Sequence, residues 1–325
     1  MSEIKKNTIG LIDVDGHNFP NIALMKLSTW HKKQGDEVEW YNIFNSYDKV
    51  YMSKVYSFTP DYGYVVNNAR EVIRGGTGYA IHGAGGEHYC YEKDKPLPEE
   101  IEHMYPDYGL YGITETAYGF LTRGCPRGCG FCIVAKKEGR CSRKVANLSE
   151  FWRGQKNIVL CDPNILACKE WQDLFMQLEE SKANIDLNQG LDARMLTEEK
   201  CKAISRLKIK EIHFAWDRYE DKHIVLPKLE MFSNICRQKK HTHYAIVYVL
   251  VNHGTTIEQD LERIYTLREL GYWAYVMIYD KANCNKIYID MQRWCNNRFI
   301  FAVCPRFNDY GKVSKVNDEK QAKLL

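Results

Sequence analysis

The sequence has no long apolar run and no strong excess of either charge. No stretch of 18 consecutive apolar residues occurs, so no membrane-spanning helix is predicted. The formal net charge is only +3 over 325 residues, which gives no indication of binding to nucleic acid or to a membrane surface. The start of the chain, Met1 to Thr8, is polar and lacks the apolar core of an export signal.

Internal repeats and low-complexity tracts are absent as well, and the hydrophobic content of 45% is ordinary for a globular protein. The length allows two domains, or one large barrel with an added domain. Twelve cysteines occur without any indication of secretion, which is typical of a protein kept in a reducing compartment. We therefore expect a cytoplasmic protein with free thiols.

Three of these cysteines lie close together in the segment 124–132, which we call the cysteine loop. Cys125, Cys129 and Cys132 follow the pattern Cys-x3-Cys-x2-Cys, so one loop can direct three sulfurs at one point. Glycines at 124, 128 and 130 permit a tight backbone with positive φ angles. Three thiolates on a [4Fe-4S] cluster leave one iron without a protein ligand, whereas closed clusters use four cysteines. The pattern thus indicates a cluster whose fourth iron binds a small molecule.

Two other uses of the three thiols fit the sequence less well. A structural zinc site needs four ligands, usually in two spaced pairs, and the sequence has no second Cys-x2-Cys. A disulfide framework needs an oxidising compartment.

The spacing of Cys125, Cys129 and Cys132, with an aromatic residue directly before the third cysteine, closely resembles the signature loop of the radical S-adenosylmethionine (radical SAM) superfamily. The resemblance implies that the open iron chelates the amino and carboxylate groups of S-adenosylmethionine, and that Phe131 lies against the adenine. It further implies reductive cleavage to a 5'-deoxyadenosyl radical, with electrons from a donor such as flavodoxin or ferredoxin.

The N-terminal part predicts alternating strands and helices. Apolar segments indicate strands at 9–14, 37–42 and 49–57, a helix from Pro20 to Gly35, and a further helix at 65–72. This order favours a parallel sheet. Residues 1–95 resemble the Rossmann-like, cobalamin-binding-type domain that precedes the barrel in one branch of the superfamily.

Cobalamin binding itself is not favoured by the sequence. Asp15-x-His17 is similar to the start of the Asp-x-His-x-x-Gly motif, but Pro20 stands where the glycine is expected. We interpret His17 as a turn residue at a strand end. The segment Gly75 to Gly78 is interpreted as a tight turn, because it lacks a full dinucleotide fingerprint.

Residues 118–283 are predicted to form a partial (β/α)6 radical SAM barrel, after a linker at 96–117 and before a C-terminal extension at 284–325. The six strands are predicted at 118–122, 157–160, 185–187, 211–216, 244–251 and 273–278. The site of such a barrel gathers at the carboxyl ends of its strands.

Polar residues follow the second and third predicted barrel strands. The resemblance implies that Asp162 and Asn164 bind the amino group of S-adenosylmethionine, although a helix N-cap is equally reasonable chemistry. The resemblance extends to the third strand: Gln189 or Asp192 could hold ribose hydroxyls, and Arg194 could bind a carboxylate or lie in a surface ion pair.

The sequence does not reveal the substrate. We expect a radical SAM enzyme; the alternatives are a cobalamin-dependent radical SAM methyltransferase and a non-catalytic iron–sulfur sensor or binding protein. Cys284, Cys295 and Cys304 could hold an auxiliary cluster, but their wide spacing is more typical of free thiols.

Overall fold

The computed structural model describes residues 6–82, 88–236 and 245–311. The chain divides into two compact units, Met1–Asp186 and Leu187–Leu325. The predicted fifth barrel strand starts at Tyr244, which lies outside the described residues. The predicted C-terminal extension is described only as far as residue 311. Within the described part of the chain, no helix is long and apolar enough to cross a membrane.

The first unit begins with a parallel four-stranded sheet of order β2-β1-β3-β4. Because the order turns back at β1, the sheet has the reversal typical of doubly wound folds. Its central strand buries Ile9, Leu11 and Ile12. The elements are β1 (Thr8–Asp13), α1 (Ile22–Gln34), β2 (Glu37–Trp40), β3 (Tyr47–Ser53) and β4 (Ala69–Gly75).

The predicted helix at 65–72 is wrong, because the structure has the strand β4 from Ala69 to Gly75. This strand lies at the sheet edge and is mostly exposed. Its mixture of charged and apolar residues therefore hides the period of two that a half-buried strand shows. The predicted helix after Pro20 is confirmed: Asn21 caps its start, and Gly35, at φ +88°, ends it.

The segment predicted as a linker, 96–117, packs on the N-terminal sheet unit. Ile101 is buried with Leu24 and Leu27 of α1, and Lys26 pairs with Glu102 at 2.9 Å. The elements that follow β4 are α2 (Thr77–Ala80), β5 (Ile81–His82), β6 (His88–Tyr89), α3 (Glu99–Glu102), β7 (Thr116–Gly119), β8 (Thr122–Arg123), α4 (Val134–Lys137), β9 (Arg143–Lys144), β10 (Asn157–Leu160) and α5 (Trp171–Ser181).

Strand β11 (Asn184–Asp192) crosses the boundary between the units. The second unit continues with α6 (Glu198–Arg206), β12 (Lys208–Ala215), α7 (Lys222–Ile235), β13 (Ala245–Val251), α8 (Ile257–Glu269), β14 (Trp273–Ile278), α9 (Lys286–Asn296) and α10 (Arg298–Val303). The strands form a six-stranded sheet of order β14-β13-β12-β11-β10-β7, which follows the chain without reversal.

The registers of β7 with β10, β12 with β13, and β13 with β14 are parallel. Crossovers between parallel strands are almost always right-handed, so a strand order that follows the chain is expected to have its connecting helices on one face. The burial of β13 agrees with this, since Ala245, Val247 and Val249 are fully buried while Ile246 and Tyr248 are only half-buried. The result is a mixed α/β chain with a parallel sheet; no closed barrel is detected in the described ranges.

Two predicted barrel strands differ from the structure. The first, 118–122, is interrupted, because β7 ends at Gly119 and Thr122 pairs antiparallel with Lys144 of β9. The third is longer than predicted and runs through Gln189 to Asp192, so these polar residues lie in the strand and not after it. Polar residues at a strand's carboxyl end removed the apolar pattern on which the prediction depended.

Candidate functional site

The cysteine loop lies between β8 and α4 in the first unit. Cys125, Cys129 and Cys132 are partly buried, and none forms a disulfide. Of the three glycines predicted to permit a tight turn, only Gly124 has a positive φ, at +86°. A Cβ on Gly124 would collide with the carbonyl oxygen of Cys141. Glycine is therefore required at the start of the loop, whereas nothing lies within 4 Å of a Cβ built on Gly130.

The start of the loop is held by Glu138, the acidic residue that follows α4. The Gly124 N–H donates to Glu138 Oε2 at 2.9 Å, and Arg123 pairs with the other carboxylate oxygen of Glu138 at 2.7 Å. The Cys125 N–H donates to the Gly139 carbonyl at 3.2 Å. Glu138, in the charged segment 136–140 that follows the cysteine loop, therefore holds the start of the loop.

Asp162, predicted to bind the cofactor, is fully buried beneath the strand that leads into the loop. Its carboxylate accepts hydrogen bonds from the Leu121 N–H at 3.1 Å, the Thr122 N–H at 2.5 Å and the Thr122 hydroxyl at 2.6 Å. Burial raises the pKa of the Asp162 carboxyl to about 6, against the opposing effect of these donors. These hydrogen bonds attach the segment that follows β10 to the bend that follows β7.

Asn164 is brought directly to the cysteine loop. Its Nδ2 donates to Cys125 Sγ at 3.4 Å, and its side chain is only 2% exposed. Asn164 Oδ1 is buried without a hydrogen-bond partner among the described atoms. The side chain makes no N-cap hydrogen bond to the short 3-10 turn that follows it. An acceptor without a donor therefore lies beside the first cysteine, a costly arrangement unless a ligand supplies the donor.

The remaining predicted residues are less informative. Phe131 is half-buried directly before Cys132. Gln189 is exposed on β11. Arg194 lies in the second unit, where its Nε contacts Asp192 and its Nη1 contacts Asp221, each at 2.7 Å. Its charge is thus already balanced by two carboxylates, as expected for the ion pair that the sequence left open.

The donor chemistry fits an iron–sulfur cluster, because three thiols outside any disulfide lie on one loop with a buried amide donor on one sulfur. The conformation does not itself gather them: in the ranges that the structure describes, no group of three or more His, Cys, Asp or Glu side chains is arranged to hold a metal ion.

The three C-terminal cysteines have separate backbone partners. Cys284, Cys295 and Cys304 donate to the carbonyls of Lys281, Ala274 and Arg306, at 3.3, 3.1 and 3.3 Å. The chemistry of these contacts is that of isolated thiols.

The residues considered for cobalamin have partners of their own. His17 stacks on Trp40 with ring centroids 4.2 Å apart and meets Tyr111 edge-on at 5.5 Å. His17 lies in a turn, as predicted. The segment Gly75 to Gly78 is not one turn, because Gly75 ends β4 and α2 begins at Thr77. Between them, a Cβ on Gly76 would collide with the Lys54 carbonyl.

Sequence reasoning missed two residues that hold the loop, Glu138 and Ser142. Ser142 is buried, and its hydroxyl donates to the Asn164 carbonyl at 2.8 Å. No sequence motif identifies either residue, because each bonds to a segment that only the fold brings close to it.

Comparison with known proteins adds no relative. No protein-family model matches this chain, and no curated protein matches its sequence.

Proposed function

We propose that this chain is a radical SAM enzyme whose cysteine loop holds a [4Fe-4S] cluster through Cys125, Cys129 and Cys132. The proposal is supported by the Cys-x3-Cys-x2-Cys spacing, by thiols that are not in disulfides, and by a parallel sheet whose strand order follows the chain. When bound, the cluster and its S-adenosylmethionine would supply a 5'-deoxyadenosyl radical.

The single observation that carries the proposal is the position of Asn164. Its amide donates to Cys125 Sγ, and its Oδ1 is a buried acceptor without a partner. A ligand ammonium group beside Cys125 would supply the missing donor. Hydrogen bonds that involve a charged group are about twice as strong as neutral ones, so this acceptor would favour the amino end of S-adenosylmethionine.

The other residues have supporting roles. Asp162 keeps the end of β10 against the bend after β7, and Glu138 keeps Gly124 and Arg123 at the base of the loop. Phe131 would lie against the adenine, as the resemblance implies. Gln189 and Arg194 remain candidates for the ribose and the carboxylate. An external donor such as flavodoxin or ferredoxin would supply the electron.

The test is anaerobic reconstitution with iron and sulfide, followed by dithionite and S-adenosylmethionine. We expect about four irons per chain and formation of 5'-deoxyadenosine. Cys129→Ala should lose both, whereas Cys284→Ala, a matched change outside the loop, should retain both. Tightly bound zinc in place of iron, or a cluster that leaves S-adenosylmethionine intact, would refute the proposal.

The alternatives, a cobalamin-dependent methyltransferase and a non-catalytic iron–sulfur sensor, stay predictions. A cluster that assembles but does not cleave S-adenosylmethionine would favour the sensor. A corrinoid absorption band in protein prepared with cobalamin would favour the methyltransferase.

A further inference from the structure

The backbone at Asn164 is held in place by two neighbours. The backbone carbonyl of Asn164 accepts a hydrogen bond from the hydroxyl of buried Ser142 at 2.8 Å. Two residues earlier, Asp162 attaches the same segment to the backbone N–H groups of Leu121 and Thr122. These contacts fix the backbone that carries the amide, and the amide Nδ2 lies 3.4 Å from Cys125 Sγ.

An amide donor to a cysteine sulfur has a defined electrostatic effect on a cluster. Reduction adds negative charge, which spreads partly onto the thiolate sulfurs, and an N–H directed at a sulfur stabilises that charge. Hydrogen bonds to the sulfurs are one of the factors that set the reduction potential of iron–sulfur clusters. Burial of Asn164 strengthens the effect, because water competes little for its amide and the local dielectric is low.

We propose that Asn164 is a positioning residue that donates its amide hydrogen bond to the Cys125 thiolate and thereby raises the reduction potential of the cluster on the cysteine loop. The inference rests on the proposed function, since it requires a cluster on this loop. It assigns to Asn164 a role toward the protein's own sulfur, in addition to any contact that its Oδ1 makes with a ligand.

Two variants separate the donor from the volume of the side chain. Asn164→Leu removes the amide at similar size, and Asn164→Asp replaces the donor with a second acceptor of the same shape. The matched control is Asn157→Leu at the opposite end of β10, where the side chain contacts the Glu115 carbonyl and Asn184. All three proteins are reconstituted anaerobically, and iron and sulfide are counted first.

The decisive readout is the midpoint potential, measured by redox titration with electron paramagnetic resonance and without added S-adenosylmethionine. We expect a shift to lower potential in Asn164→Leu, a larger one in Asn164→Asp, and none in Asn157→Leu. Pulsed resonance of the reduced cluster in protein with 15N-labelled asparagine side chains should show a weak nitrogen coupling that both Asn164 variants lose.

The outcomes distinguish this inference from the proposed function. Failure of the wild-type protein to assemble a cluster would remove both. A cluster that cleaves S-adenosylmethionine but keeps its potential in the Asn164 variants would overturn the inference alone. Loss of iron from both variants would also overturn it, because Asn164 would then hold the loop together and not tune it. A lowered potential in iron-loaded Asn164→Leu would support it, whereas a shift confined to Asn164→Asp would overturn it, because the added negative charge alone lowers the potential.

Discussion

The chain carries two sets of three cysteines, and the structure treats them differently. Cys125, Cys129 and Cys132 lie on one loop, half-buried, with a buried amide directed at the first sulfur. The C-terminal set flanks or lies within α9 and α10, and each thiol donates to a different backbone carbonyl. The comparison teaches that close spacing keeps three thiols on one loop, whereas widely spaced thiols in this fold each bond to a different backbone carbonyl.

The largest effect on iron binding should come from removing the three loop cysteines, and removing the three C-terminal cysteines should have none. Replacing Cys125, Cys129 and Cys132 together by Ala should abolish iron binding on reconstitution, because no thiolate ligand remains on the loop. The corresponding triple replacement of Cys284, Cys295 and Cys304 should leave the iron content unchanged. Iron and sulfide analysis checks both. Iron lost equally from the two proteins would erase the difference between the sets.

The next effect concerns the loop's backbone, with no sulfur changed. Gly124→Ala forces a side chain into a positive φ and against the Cys141 carbonyl. We expect loss of most of the iron and destabilisation by about 1 to 3 kcal/mol. Gly130→Ala, in open space, should change the free energy of unfolding by less than about 0.5 kcal/mol. Urea unfolding and iron analysis measure both, and equal behaviour of the two variants would contradict the assignment of Gly124.

A third prediction concerns pH. Burial raises the pKa of the Asp162 carboxyl from 3.8 to about 6, so between these values the folded chain binds more protons than the unfolded chain. This group's contribution to stability is complete below pH 3.8 and is lost as the pH rises through 6. The shift corresponds to about 3 kcal/mol.

The Asn side chain in Asp162→Asn cannot titrate. The free energy of unfolding of the wild-type protein minus that of the variant should therefore be largest near pH 4 and fall toward pH 7. Titration of groups that both proteins share drops out of this difference. Urea unfolding at several pH values measures it, with Asp173→Asn, at an exposed ion pair with Lys144, as the control. A difference independent of pH would show that Asp162 does not titrate in this range.

The smallest effect on ligand binding is expected at Arg194. Its guanidinium contacts Asp192 and Asp221, whose side chains are only 9% and 16% exposed, so Arg194→Gln should itself lower stability by about 1 to 3 kcal/mol. Its affinity for S-adenosylmethionine should change by less than about threefold, on the ground that a ligand carboxylate would have to displace two carboxylates. Equilibrium binding to the reconstituted protein measures this. A tenfold weakening would instead support the role implied by the resemblance.

Much of the fold could be predicted from local pattern. The strands predicted at 157–160 and 273–278 agree with the structure. Predictions failed where polar residues occupy strands, as in β4 and the second half of β11. They also missed α7, which carries Pro227 inside it, because proline is normally a helix breaker.

The candidate site was only partly predictable. The spacing of the loop cysteines singles them out, and the polar residues after β10 identify Asp162 and Asn164 as belonging near them. The different contacts of these two residues could not be predicted. Whether a carboxylate faces backbone N–H groups or a ligand depends on the bend after β7, which the apolar pattern of 118–122 conceals.

The sequence by itself determined the donor set, because three thiols so closely spaced must share one loop whatever the rest of the chain does. It also determined that strands and helices alternate. Only the tertiary structure decided which side chains meet that loop: Glu138 at its base, and Asn164 on Cys125. The physical reason is that a hydrogen bond between residues 39 positions apart depends on how strands pair and bend, and no local period encodes that distance.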